Sequence, residues 1–286
     1  MKRSIVVGAG LLAAGLCLSP SPAAGQATIG WDAAVLNAYV WRGVTYTNKP
    51  VFQPDVWVSI PVSTASVTVG GWANIDIGKY DGATDLVESG GTSAFNFAEF
   101  DYWAEIGVPA GIATLTAGVT GYFFPNPQSS GGFWSTFNTT EIYGKVALGV
   151  PLSPKLAVWY DVDKVKGAYF EGSVAHSVPL GAASLNLGLL AGLSAGQGVK
   201  AGEFANFAKN DITHVDLSAS IPFSAGPLTI APSAHAVWLN DDFTKFTNAA
   251  NSKDFKAWFC ITISWSHDLG GGGEEAEEGG EGEATE

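Results

Sequence analysis

Ile60-Pro61-Val62-Ser63 ends one run of alternating apolar and polar residues, and another run starts a few positions later. The same device returns at Val108-Pro109-Ala110-Gly111, Val150-Pro151-Leu152-Ser153, Val178-Pro179-Leu180-Gly181 and Ile221-Pro222-Phe223-Ser224. Proline has no N–H to give a strand ladder, so each copy marks a place where pairing stops. Five short turns of one kind, separated by longer polar connections, describe a chain that runs up and down repeatedly. The expected fold is all-β: an antiparallel up-and-down barrel of the type that spans the bacterial outer membrane.

Alternation bounded by turn residues places strands at 33–44, 52–61, 66–76, 97–108, 112–123 and 139–150. Six more follow at 155–163, 168–179, 184–194, 211–222, 227–239 and 255–267. Their lengths sit near the roughly 9–11 residues of a tilted membrane strand. The proline turns follow the even-numbered strands. The connections at 77–96, 124–138, 195–210 and 240–254 are longer and polar. Short turns at one rim and long loops at the other is the asymmetry of bacterial barrels, with the short turns on the periplasmic side. The brief connection at 164–167 departs from it, so counts of ten and fourteen strands also stay open.

The alternation separates two faces. Phe100, Tyr102, Ala104 and Ile106 alternate with Glu99, Asp101, Trp103 and Glu105; Val56, Val58 and Ile60 alternate with Asp55, Trp57 and Ser59. A small soluble barrel would turn the apolar set inward. Twelve strands behind a secretion signal favour the opposite arrangement, with the apolar set on lipid. Aromatics near the strand ends, among them Trp31, Tyr39, Trp41, Tyr122, Phe123, Phe124, Trp159, Tyr160, Trp238, Trp258 and Trp265, fit interfacial girdles.

Composition agrees. Charged residues make up only 14% of the chain and hydrophobic residues 47%; a soluble domain carries about 25% charge. No apolar run after the leader is long enough for a membrane helix. Met1-Lys2-Arg3, the apolar stretch Ile5 to Leu18 and Ala23-Ala24-Gly25-Gln26-Ala27 have the layout of a cleaved signal peptide, taken as residues 1–27. Beyond it Cys260 is the one cysteine, which leaves no intrachain disulfide and no cysteine metal site. The net charge of −13 argues against nucleic acid as a partner. Residues 270–286 hold seven Glu and no basic residue and read as a disordered acidic tail behind a barrel domain of 28–269.

The segment Tyr39-Val40-Trp41-Arg42-Gly43 through Pro50 to Gln53 resembles the opening hairpin of the TorF-like outer-membrane porin family. Gly121-Tyr122-Phe123-Phe124-Pro125, Thr140-Glu141-Ile142-Tyr143 and Tyr169-Phe170-Glu171 are similar to later stretches of that family. Membership implies an outer-membrane porin of undefined solute. The acidic tail departs from the family's terminal aromatic, and Trp265 is the internal residue that can serve in its place.

The expected pore-lining charges are Asp55, Glu99, Asp101, Glu105, Glu141, Lys145, Asp161, Glu171 and Asp216, because a charge on lipid is costly. Trp57, Trp72 and Trp103 share that face. Arg42 is in phase with Leu36, Ala38 and Val40, so it needs a bulge to turn inward, where Glu99 or Asp101 is the expected partner. Acidic walls would bias a passive channel for small polar solutes toward cations. No catalytic residue, cofactor or metal is expected; the partners are outer-membrane lipid and small solutes or ions, with a homo-oligomer by analogy to porins. Two other readings are kept. In one, Trp57, Trp72, Trp103 and Trp159 plug a non-transporting structural or surface-binding barrel. In the other, Asp161-Val162-Asp163 and His214-Val215-Asp216 form an omptin-like peptidase site, in which a carboxylate–His pair activates water. Ser233-Ala234-His235 lacks the surroundings of a serine hydrolase.

Overall fold

The computed structural model describes residues 26–125, 138–181, 183–240 and 254–269. Most of the leader, parts of the 124–138 and 240–254 connections and the acidic tail lie outside them. Fifteen strands are present: β1 (Ala27–Leu36), β2 (Tyr39–Trp41), β3 (Val44–Thr47), β4 (Val51–Val62), β5 (Ala65–Asp76), β6 (Asn96–Ala110), β7 (Ala113–Phe123) and β8 (Thr139–Leu148) come first. Then follow β9 (Lys155–Asp161), β10 (Ala168–Leu180), β11 (Ala183–Ala195), β12 (Ile212–Ser220), β13 (Phe223–Ala225), β14 (Leu228–Leu239) and β15 (Phe255–Leu269). No helix occurs among the described residues.

Twelve of these strands form a closed antiparallel barrel. Its order runs β1, β4 to β12, β14, β15 and back to β1; the β12–β14 ladder completes the ring and the β1–β15 ladder joins its first and last strands. Closure leaves no sheet edge, which is what lets a sheet cross lipid with every backbone group paired. Eleven of the twelve expected strands coincide with observed ones within a few residues at each end.

Three of the proline turns share one geometry. Pro61 pairs with Ser66, Pro109 with Thr114 and Pro179 with Ser184, each proline lying just inside its strand end. Pairing therefore continues a residue or so past these prolines instead of stopping at them, because a missing N–H is harmless at a position whose N–H points off the ladder. At Ile221-Pro222 the strand itself breaks, and β13 resumes before the turn into β14.

The first expected strand is the exception. The barrel strand is β1, ending at Leu36; the chain then folds inward, and β2 and β3 make a separate two-stranded hairpin. Leu36 is buried in the interior and is not on the lipid face. The hairpin, not a bulge, turns Arg42 inward. Elsewhere the two faces are as the alternation requires. Val56, Ile60, Tyr102, Ile106, Phe259 and Ile261 are exposed on the outside, while Asp55, Ser59, Glu99, Asp101 and Cys260 are buried inside.

The aromatic girdle needs correction. Phe123, Tyr160 and Trp238 are exposed at the outer surface, but Tyr39, Trp41, Tyr122, Phe124, Trp159 and Trp258 are buried in the interior. Strand parity aims Tyr122, Trp159 and Trp258 into the bore, and Tyr39 and Trp41 lie on the inner hairpin.

Candidate functional site

The bore is filled near its long-loop rim by chain, not by wall side chains alone. Trp41 pairs with Val44, so Arg42 and Gly43 are the two central residues of the hairpin turn. Both have positive φ, 49° and 82°, the type I′ geometry that suits a two-residue hairpin. A side chain at Gly43 is doubly disfavoured, because a Cβ there would also stand 2.8 Å from the Cβ of His214 on the wall.

Arg42 is 2% exposed. Its two terminal nitrogens donate to the two oxygens of Glu141 on β8 at 2.9 and 2.6 Å, and one of them donates to Gln197 Oε1 at 3.3 Å. The guanidinium lies 4.2 Å from the ring centres of both Trp41 and Tyr169 and 5.2 Å from that of Trp159. The rings supply the negative face that a desolvated cation needs. Glu141 also accepts from Tyr122 OH at 2.8 Å and Gln197 Nε2 at 2.8 Å. Lys256 on β15 donates to the carbonyl of Gly43 at 3.1 Å. The expected partners Glu99 and Asp101 are not the ones used: the hairpin carries Arg42 across the bore to Glu141. At the hairpin's base, Tyr39 OH donates to Glu99 Oε2 at 2.9 Å and Tyr39 packs against Trp72.

An apolar cluster surrounds this contact. Tyr39, Val40 and Trp41 pack with Ala34, Leu36, Val51, Tyr122, Phe124, Val165, Val237, Trp258 and Cys260. Phe207, from the connection before β12, stacks on Tyr169 at 5.8 Å. Two interior spaces beside the hairpin are small, about 30 Å³ next to Asp101, Trp103 and Lys145 and about 20 Å³ next to Glu99 and Glu141. That is room for about one or two waters each.

The other expected lining residues all face the interior. Trp57 and Trp103 lie flat along the wall: each sits over the glycine opposite it, Gly30 or Gly70, where a Cβ would meet the indole at 2.4 or 2.5 Å. These two indoles therefore do not plug the bore; the hairpin does. Glu105 accepts from Lys145 Nζ at 3.0 Å and Tyr143 OH at 2.9 Å. Glu171 faces inward beside Tyr169. Asp55 is buried, and neither of its oxygens has a partner.

The His214–Asp216 pair expected of a peptidase site is not the one that is hydrogen-bonded. Asp161 caps its own connection: Oδ1 accepts from the N–H groups of Asp163, Val165 and Lys166, and Oδ2 accepts from Thr139 Oγ1. His214 contacts Thr213 Oγ1, and Asp216 pairs instead with His235 Nδ1 at 3.0 Å. His235 lies flat on Trp258, with ring centres 3.7 Å apart. Spacing along β12 suggested His214 for Asp216; the partner used is His235, the diagonal neighbour on β14 that stands opposite Ser218. Gln197, Tyr39, Tyr122, His235 and Glu88 belong to the candidate site and were not among the expected lining residues; Tyr39, Glu88 and Gln197 enter it from the inner hairpin and the connections, Tyr122 and His235 from the wall. Glu88 lies in the 77–95 connection, where burial and the adjacent Glu99 hold its carboxyl well above the usual carboxylate range.

No protein family and no curated relative matches the chain. Among solved structures it is similar to the COG4313 outer membrane channel from Pseudomonas putida F1, at 7% identity and a TM-score of 0.50, over 85% of this chain and 96% of the other. Looser likenesses, each at a TM-score of 0.43, are to LpxR from Salmonella typhimurium (9% identity, 83% and 99% covered) and to KdgM porin (8%, 84% and 99%). At these identities the likeness concerns the fold, which is that of an outer-membrane β-barrel.

Proposed function

We propose that the protein is an outer-membrane channel for small polar solutes, biased toward cations, whose bore is closed by its own first loop. One observation carries this reading: the obstruction is a loop-borne hairpin, packed in an apolar cluster but tied to the wall by polar contacts, and the wall beside it carries charge. A barrel evolved only as a solid peg could fill its bore with apolar wall side chains. Here the occluding piece hangs on the connections 37–38 and 48–50, while the wall behind it carries Glu99, Asp101, Glu105, Lys145 and Glu171. The proposed mechanism is diffusion past these charges once the hairpin moves, with no reaction and no cofactor. The resemblance to TorF-like porins points the same way. The water-sized voids favour a second reading, a non-transporting barrel.

Single-channel recording of the refolded full chain in a planar bilayer under a salt gradient separates the two. Stepwise openings with a cation-selective reversal potential support the channel. A folded barrel that stays silent at all applied voltages, and passes no solute into liposomes, supports the peg.

A further inference from the structure

Five neighbouring strands each give one ring to the cavity of about 30 Å³ beside the hairpin: Trp72 on β5, Trp103 on β6, Tyr122 on β7, Tyr143 on β8 and Trp159 on β9. Tyr39 of the hairpin completes this aromatic wall. Asp101 on β6 lines the same cavity. It is 7% exposed, and its Oδ1 is sealed from solvent and has no hydrogen-bond partner.

Most other polar groups of this wall are committed. The three phenols donate to other carboxylates, Tyr39 to Glu99, Tyr122 to Glu141 and Tyr143 to Glu105. Lys145 also lines the cavity, but its charge is matched by Glu105 at 3.0 Å and it rests 4.3 Å from the ring centre of Tyr143. The indole N–H of Trp103 has no partner. The neighbouring space of about 20 Å³ differs, because the carboxylates beside it already accept: Glu99 from Tyr39, Glu141 from Arg42 and Asp161 from Thr139.

A buried carboxylate without a counter-charge needs a proton or a cation. Aromatic faces carry negative potential and attract a cation lodged among them. One carboxylate and a few phenol oxygens fall well short of the roughly six to eight oxygens that calcium takes. An ammonium ion suits the wall better. Its N–H groups can donate to Asp101 Oδ1 while its remaining surface rests on the rings. The cavity holds about one or two water-sized bodies. That admits ammonium with one water, or methylammonium alone, and excludes bulkier quaternary ions. A water beside ammonium would accept from the Trp103 indole N–H.

We propose that this ring-walled cavity is a binding site for ammonium and short primary alkylammonium ions, with Asp101 as the anion that receives them and the indoles of Trp72, Trp103 and Trp159 as their bed. Because Tyr39 belongs to the hairpin, the site is complete only while the hairpin is seated. The proposal rests on the channel reading and narrows its cation bias to a chemical class.

The test is equilibrium binding of methylammonium chloride to the full chain, refolded in detergent with the salt present. The ion is then loaded without passing the closed bore, and the outcome is separate from whether the barrel conducts. The expected result is a methyl proton resonance moved upfield by the surrounding rings, abolished by excess ammonium. Methanol, of similar size but uncharged, and tetramethylammonium, too large, should not compete. Asp101→Asn should weaken binding by at least about tenfold, since a hydrogen bond to a charged group is lost. Trp103→Leu, which keeps the carboxylate, should reduce the upfield displacement; heat-dependent gel mobility checks that each variant is a folded barrel. No displaced resonance in the folded parent barrel, or equal competition by methanol, would leave the cavity to water and a proton and overturn the proposal. So would equal competition by tetramethylammonium, or undiminished binding to Asp101→Asn, either of which would place the ion elsewhere, the acidic tail included. The competition experiments need no variant, so they decide even where a substitution prevents folding.

Discussion

Arg42 occupies a position with two costs, a left-handed backbone and a guanidinium taken out of water. Two hydrogen bonds to Glu141 and the faces of Trp41 and Tyr169 offset them. Lysine could not replace it, since an ammonium neither grips a carboxylate with two parallel N–H groups nor stacks as a plane. Glu141→Gln leaves the cation buried and unpaired. That change should cost about 3–5 kcal/mol, as expected when one partner of a buried pair is removed. The folded barrel's thermal midpoint, read from its heat-dependent gel mobility, should fall, and Trp41 fluorescence should shift to the red if the hairpin leaves its seat. Adding Arg42→Gln to Glu141→Gln should recover part of the loss, because no charge is then stranded. A midpoint unchanged in the single variant would show that this pair does not hold the hairpin.

The hairpin β2–β3 decides whether the bore is open. Leu36 and Val51 stand opposite each other across β1 and β4, so a short Gly/Ser turn can replace everything between them without disturbing the barrel. That replacement should convert short or rare openings into a steady conductance several-fold larger. Cys260 reports the same event in solution. It is buried against the hairpin's cluster, so it should resist an aqueous maleimide in the intact barrel and react once the hairpin is gone. Equal labelling rates in the two proteins would mean that the hairpin does not seal the bore. Strand positions were legible because lipid on one face imposes a strict two-residue alternation, as at Glu99 to Ile106. The hairpin was not, because Tyr39-Val40-Trp41 is buried on every side and looks like more of the preceding strand. The signal was present nonetheless: Arg42-Gly43 between Trp41 and Val44 is a two-residue turn closed by a glycine. Which residues face inward could be read from parity. Their partners could not, since Arg42 and Glu141 are 99 residues apart and meet only through barrel closure.

Across the whole molecule, carboxylates are spread around the bore, and on two neighbouring strands they face each other. Asp32 and Asp55 stand directly opposite each other on β1 and β4, and both oxygens of Asp55 lack a partner. Of the inward lysines, Lys145 and Lys155 belong to β8 and β9, where Lys145 is paired with Glu105, and Lys256 on β15 reaches the hairpin at Gly43. A solute in the proposed channel would pass these two facing carboxylates, and like charges placed opposite one another on neighbouring strands are retained at a cost to stability. A low-dielectric wall concentrates their field in the aqueous path, which enriches cations there. The barrel lacking its hairpin is the proper test object, because the piece that fills its bore is gone. Its reversal potential in a potassium chloride gradient should mark it as cation-preferring. Asp32→Asn with Asp55→Asn should move that potential toward the unselective value. The preference should also shrink in concentrated salt, where the screening length falls from about 10 Å at 0.1 M to about 3 Å at 1 M. An anion preference in the hairpin-free barrel, or a selectivity indifferent to both aspartates, would mean that Asp32 and Asp55 do not line the path.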